Sequence, residues 1–270
     1  MVASGVSAKS FAELRGTRSG ALFIIASGPS TKVFPLQRYA DYPMLALNGS
    51  ICCLAEAGIA PLFYLCDDSS FVRNRPQLLQ QAIGHAQNLA LSPRVVESLL
   101  AQDPRALDGR CVYRFERVNR PPEGGEAMSD RLFARLARKD PDFECDFSWF
   151  RQKPNRIGFS RNLDKGYFSS RTIPYAGIQL AYYLGFSQVF LVGMDLDSSL
   201  GRFYEHGCEA VKSRLDGDYE DYILPCFQLM AERVIGRDFR VYNLSANSRL
   251  PSSVVPKLDL DQLDALLAAS

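Results

Sequence analysis

Residues 21–30, ALFIIASGPS, decide how the rest of the chain is read. The first six are apolar and rich in strand formers, and the run stops abruptly at Ser27-Gly28-Pro29-Ser30. A parallel strand covered on both faces needs such an unbroken apolar run, and ligands bind beyond the carboxyl ends of these strands. Gly28 allows close backbone approach, while Ser27 and Ser30 offer hydroxyls and amides to an anion. An ordinary strand-to-turn join would read the same way. A second junction of this kind, Gly193-Met194-Asp195, supports the functional reading.

Outward from this stretch the same rhythm recurs. Residues 44–47 form a strand candidate ending at Asn48-Gly49-Ser50, with Ser50 placed to cap a helix over 51–57. Residues 62–66 end at Asp67-Asp68, and 88–91 and 111–115 continue the series, the last as an edge strand. After Arg171 come a helix over 174–184 stopped by Gly185, a strand at 188–192, a helix over 222–235, a strand at 239–244 and a terminal helix. The expected fold is α/β, a single mostly parallel Rossmann-like nucleotide-binding sheet in one domain over 1–270.

Residues 117–160 break the rhythm. They hold the loop signature PPEGG, the basic amphipathic stretch DRLFARLARK, and the aromatics Phe143, Phe147, Trp149 and Phe150. We read them as an insertion or lid, too short and too polar for a core of its own. Its aromatics could close over a ligand, meet lipid headgroups or cover the main core.

Composition narrows the function. A formal net charge of +1 gives no global signal for nucleic acid. From Arg110 to Arg171, however, 14 Lys and Arg stand against 9 Asp and Glu, which suits an anionic ligand. The seven cysteines contain no C-x-x-C pair and read as apolar filling in a reducing compartment. No apolar run approaches the roughly 18 residues of a spanning helix, and the first residues lack a signal-peptide core. The expectation is a cytoplasmic protein, with contact at the inner face of the membrane left open, as is its oligomeric state.

Few side chains offer acid–base chemistry. Of the two histidines, His85 follows a glycine at a helix end and reads as structural. His206 lies in a polar loop beyond the strand ending at Asp195, where an imidazole could deprotonate a hydroxyl. Asp195-Leu196-Asp197 matches the D-x-D of metal-dependent sugar transferases, but the pattern arises cheaply, and Asp195 could equally anchor its loop or accept from sugar hydroxyls. Arg171, among Ser169, Ser170 and Thr172 at a helix start, is a good receptor for phosphate. Arg249 could supply another contact. There is no G-x-G-x-x-G after residue 25, no P-loop, no G-x-S-x-G and no H-E-x-x-H.

Taken in order, IIASGPS (24–30), LNGS (47–50), FYLCDD (63–68), SSRT (169–172), YYLGFSQVFLVGMD (182–195), RFYEHG (202–207) and VYNLSANSRL (241–250) form a spaced series. By it the chain resembles the bacterial sialyltransferases that use CMP-sugars. It is most similar to the lipopolysaccharide-core proteins that attach a third Kdo, 3-deoxy-manno-octulosonic acid. A pterin pyrophosphokinase-like family is more distantly similar. The resemblance implies an inverting transferase moving an acidic sugar from CMP-Kdo or a related CMP-sugar to an anionic lipopolysaccharide core acceptor, with no metal or other cofactor. It puts the donor phosphate at Gly28, Pro29 and Ser30, with Ser27 where the family has asparagine. Asn48, Asp67, Ser170, Arg171, Thr172 and Asp195 complete the donor set. Tyr204 falls near the leaving phosphate. The family's catalytic histidine would lie within 212–218, where this chain has none, so either His206 or Asp216 takes the base role. Two alternatives stay open: a Mg-dependent pyrophosphokinase using Asp67, Asp68, Asp195 and Asp197, and a non-catalytic sugar-nucleotide or glycan-binding module.

Overall fold

A computed structural model describes residues 8–120, 125–204 and 215–269. Seven strands form one parallel sheet: β1 (Ala21–Ile25), β2 (Met44–Leu47), β3 (Phe63–Cys66), β4 (Asn88–Leu91), β5 (Val112–Arg114), β8 (Gln188–Val192) and β9 (Arg240–Asn243). Between β5 and β8 lies a two-stranded antiparallel sheet of β6 (Phe143–Cys145) and β7 (Gly158–Ser160). The order in the main sheet is β5-β4-β3-β2-β1-β8-β9. The chain therefore builds outward from β1 to one edge, returns to the other side of β1, and builds outward again. The gap between β1 and β8 is where the connections diverge, the place a doubly wound sheet reserves for ligands.

Side-chain alternation explains why the central strands are apolar throughout. Leu22 and Ile24 face a core containing the helix Ile173–Leu184. Phe23 and Ile25 face another, built with the helices Ile51–Glu56, Pro76–His85, Pro93–Gln102 and Leu260–Ala268. All five residues of β1 are buried. Ile25 is level with both Ala46 and Val192, so the carboxyl ends of β1, β2 and β8 finish together. The helix Ile173–Leu184 starts above those ends. Its Gly177 sits against Ile24 and Leu47, and it stops at Gly185 with φ 101°.

Two local expectations need correction. Ser50 does not cap the following helix through its side chain, because the 3-10 turn Asn48–Ser50 has already put it in helical geometry. Its hydroxyl instead donates to the Ile25 carbonyl at 2.6 Å and accepts from the Leu47 amide at 2.8 Å, tying β2 to β1. The helix expected over 222–235 starts earlier, with an α-helical turn at Leu215–Asp218 and a π-helical turn at Tyr219–Ile223, and continues as α-helix over Leu224–Arg233.

The segment between β5 and β8 does have a small core. Ala134, Ala137, Cys145 and Phe168 are buried together, with Phe133, Phe143 and Phe147 against them. Alanines at 134 and 137 let the helix Asp130–Ala137 come close to the aromatics, which is why a polar stretch can still bury a face. One buried side chain links this segment to the sheet domain. Gln179 Oε1 accepts the amides of Ser160 and Phe168, each at 2.9 Å, and its Nε2 donates to the Phe168 carbonyl at 2.9 Å. Gln179→Leu keeps the volume but strips these backbone groups of their partner. We expect a loss of at least about 3 kcal/mol in unfolding free energy, at about 1–3 kcal/mol for each of the three stranded groups. Urea unfolding measures it, and a change below about 0.5 kcal/mol would show that Gln179 is not the link.

Candidate functional site

The β1 and β8 loops are bonded to each other. Gly28 donates its amide to the Gly193 carbonyl at 2.9 Å, and Ser30 donates its amide to Asp195 Oδ2 at 3.0 Å. A Cβ on Gly28 would stand 2.1 Å from that carboxylate oxygen, so only glycine fits there. Asp195 is buried, and its carbonyl accepts the Arg249 amide. Asp195 is thus the anchor of the first loop. The arrangement also revises what the loop presents. The amides of Gly28 and Ser30 are engaged within the protein, and Pro29 has none. What remains is side-chain oxygen: Ser27 Oγ, without a partner among the described residues, and Ser30 Oγ, 2.8 Å from Ser245 Oγ.

At the end of β2, Asn48 takes a left-handed conformation, φ 48°. Its Oδ1 is buried and has no hydrogen-bond partner among the described residues. A buried carbonyl oxygen without a donor costs free energy, so a position that keeps one is suited to a ligand that supplies it. Beside it, Gly49 lies directly beneath the Tyr204 ring, where a Cβ would come within 2.2 Å of a ring carbon. The same segment returns to the first loop, since Phe203 donates its amide to the Ser27 carbonyl at 3.1 Å. Tyr204 is therefore seated between the β1 and β2 ends, next to Asn48.

On the far side stands the start of the helix Ile173–Leu184. Ser170 is fully buried, and its hydroxyl, like Asn48 Oδ1, has no hydrogen-bond partner among the described residues. Arg171 follows with φ 63°, exposed, its guanidinium 5.2 Å from the centre of the Tyr222 ring. Thr172 occupies the N-cap position without using its hydroxyl as a cap. Arg249 lies 3.8 Å over the Tyr219 ring and pairs with Asp216 at 3.0 Å. The π-helical turn Tyr219–Ile223 thus carries both rings on which these two arginines rest. Nothing in the sequence marks a π-helical turn, and neither tyrosine, nor Ser245, stands out in it. Asp216 is also held by the Ser198 hydroxyl, which brings the loops after β8 and β9 together.

The remaining carboxylates are engaged elsewhere. Asp67 takes Arg117 at 2.8 Å and the Tyr167 hydroxyl, closing the base of the inserted segment where Arg117 enters and Tyr167 leaves. Burial, and then the charge on Asp67, push the Tyr167 phenol well above its usual range, so it stays a neutral donor. Asp68 accepts from the Ser70 amide. Asp197 accepts the amide and hydroxyl of Ser199, which hold its carboxyl below the usual range. Leu196, with φ 58°, does turn the chain between Asp195 and Asp197, yet the two carboxylates serve different loops. Among the described residues no group of three or more His, Cys, Asp or Glu could hold a metal ion. His206 lies outside the described residues. His85 bonds the Ile59 carbonyl at 3.0 Å, at the opposite end of the sheet. A cavity of about 400 Å³ lined by Arg151, Gln152, Lys153, Arg156 and Tyr222 adjoins the Arg171 stack. Among the described residues no helix is long and apolar enough to cross a membrane.

Comparison with known proteins identifies the family. Proteins named "Probable 3-deoxy-manno-octulosonic acid transferase" are similar along most of their length. The Escherichia coli K12 protein is 27% identical over 90% of this chain and 84% of its own. The Salmonella typhimurium LT2 protein is 26% identical over 89% and 87%. Among solved structures, the MAf glycosyltransferase of Magnetospirillum magneticum AMB-1 shares the fold with a TM-score of 0.50 at 15% identity, covering 94% of this chain and 38% of that one. The profile of the family described as "3-deoxy-D-manno-octulosonic acid transferase WaaZ" matches residues 6–261, and the chain belongs to that family.

Proposed function

We propose that this protein is an inverting glycosyltransferase that moves Kdo from CMP-Kdo to an anionic sugar of a lipopolysaccharide inner core. It works in the cytoplasm at the inner face of the membrane, as one catalytic domain with 117–160 inserted. The observation that carries the reading is the orphaned Asn48 Oδ1 beside the β1 loop, where the donor nucleotide can supply the missing hydrogen bond. Family membership supplies the sugar.

In the proposed reaction an acceptor hydroxyl attacks the anomeric carbon as the bond to the CMP phosphate breaks. A single displacement inverts the configuration. The hydroxyl's proton passes to a base, and negative charge gathers on the departing phosphate. Arg171, the hydroxyls of Ser27 and Ser30, and the Tyr204 phenol are the groups placed to stabilise that charge. A monophosphate leaving group carries less charge than a diphosphate, so these donors suffice without a metal. Asp195 positions the loop and does not touch substrate. The basic cavity beside Tyr222 receives the acceptor's acidic groups. For the base there are two candidates, Asp216 and His206. A carboxylate paired with Arg249 is fixed in place, whereas an imidazole is the better match to neutral pH.

Three outcomes follow. Asn48→Gly, which keeps the left-handed backbone accessible, should weaken CMP binding about threefold to tenfold, the share of one neutral hydrogen bond. Arg171→Ala should weaken it about tenfold to a hundredfold. Calorimetric titration reads both, and unchanged dissociation constants would move the donor elsewhere. The initial rate of CMP release should survive EDTA; a rate that collapses and returns with Mg²⁺ would restore the pyrophosphokinase reading. Finally, single-turnover rates of His206→Ala and Asp216→Ala should separate the bases. The true one falls by about 10²–10⁴ while CMP affinity holds, and two near-normal rates would remove both.

A further inference from the structure

The helix Asp130–Ala137 has one apolar face more than its fold requires. Phe133, Ala134 and Ala137 face the small core. Leu132 and Leu136, four residues apart, lie on another side and are 48% and 49% exposed. Met128, four residues earlier, extends the stripe at 42% exposed and is clamped by Asn119, whose side chain bonds its amide at 2.9 Å and its carbonyl at 2.7 Å. Trp149 and Phe150 stand beside this helix, 61% and 92% exposed. They are not loose chain. The Trp149 ring packs edge-on against Phe147 at 4.9 Å, and the Arg135 guanidinium lies 5.3 Å over it. A fixed, aromatic-rich apolar patch has no intramolecular use here.

Charge decides what the patch fits. The acids of this segment are largely ion-paired: Asp130 is held by Arg156, Asp140 and Asp142 by Lys165, Glu144 by Arg161 and Asp146 by Arg233. Arg131, Arg135, Arg138, Lys139 and Arg151 make no ion pair among the described residues and are all exposed. On a helical wheel Arg131 and Arg135 form a stripe directly beside Leu132 and Leu136, with Lys139 following in the turn after the helix. Apolar and aromatic side chains flanked by unpaired cations match the boundary between acyl chains and anionic headgroups.

We infer that the face formed by residues 128–151 docks the protein on an anionic lipid surface, with Trp149 and Phe150 entering the interface and the arginine stripe meeting headgroups. This deepens the membrane location proposed above, and it needs no sugar substrate to test. The chain's single tryptophan is Trp149, so its own fluorescence reports on the patch. Titration uses vesicles of phosphatidylcholine alone and with about 30% phosphatidylglycerol. The emission should shift to the blue, and the full chain co-sediment, only with the anionic vesicles, and less so as salt rises. Phe150→Ser with Leu132→Ser, and Arg131→Glu with Arg135→Glu, should each lower the partition about tenfold or more, with unchanged thermal unfolding and CMP affinity. The proposal fails if the wild type stays in the supernatant without a blue shift, or if the variants partition like wild type. It fails too if light scattering shows that the variants instead break a dimer, since the face would then bind a second copy.

Discussion

The hydrogen bond from the Ser30 amide to the Asp195 carboxylate is the constraint on which the site rests. It joins the loop after β1 to the loop after β8, two segments 165 residues apart that meet because the chain returns to add β8 on the open side of β1. A buried carboxylate is costly unless hydrogen-bonded, and this one is satisfied by the loop it holds. Gly28 fits because any side chain would occupy the space of that carboxylate. With the amides of Gly28 and Ser30 engaged, the loop offers the hydroxyls of Ser27 and Ser30. Asn48 and Ser170 add buried oxygens that lack partners among the described residues. The proposed site is thus a hydrogen-bonded frame around unmet hydrogen-bonding capacity, a condition that a nucleotide can relieve.

Around that frame the cations are arranged by aromatic rings. Arg171 rests on Tyr222 and Arg249 on Tyr219, both rings presented by one π-helical turn. Arginine on an aromatic face keeps its charge while its side chain is held in position, which is useful where phosphate must be met at a fixed place. The turn also connects the donor side to the basic cavity at Arg151–Arg156, so one distortion of a helix serves both substrates of the proposed reaction.

Much of the architecture is legible in the sequence because β1, β2, β3 and β8 are short apolar runs that end on small or polar residues. The candidate donor residues cluster at those ends for the same reason, and the tyrosine at 204 and the arginine at 171 carry the family pattern. What could not be read is tertiary. Asp67 looks like a strand-end ligand, yet its partners Arg117 and Tyr167 lie 50 and 100 residues away. Spacing does not reveal that Asp195 points at Ser30, or that alanines at 134 and 137 allow a polar segment a core. The π-helical turn has the composition of an ordinary amphipathic helix. The exposure of Trp149 and Phe150 is equally a property of the packed structure, since the same residues could have covered the main core.

The central claim is that the crevice between β1 and β8 is built for a cytidine monophosphate without a metal. Thermal unfolding in the presence of CMP, CDP, UDP, GDP and ATP, each in EDTA and in Mg²⁺, tests it most directly, because a ligand that binds the folded state raises the melting temperature by mass action. CMP should give the largest shift, and Mg²⁺ should not increase it. A shift confined to ATP with Mg²⁺, or none with CMP, would contradict the claim.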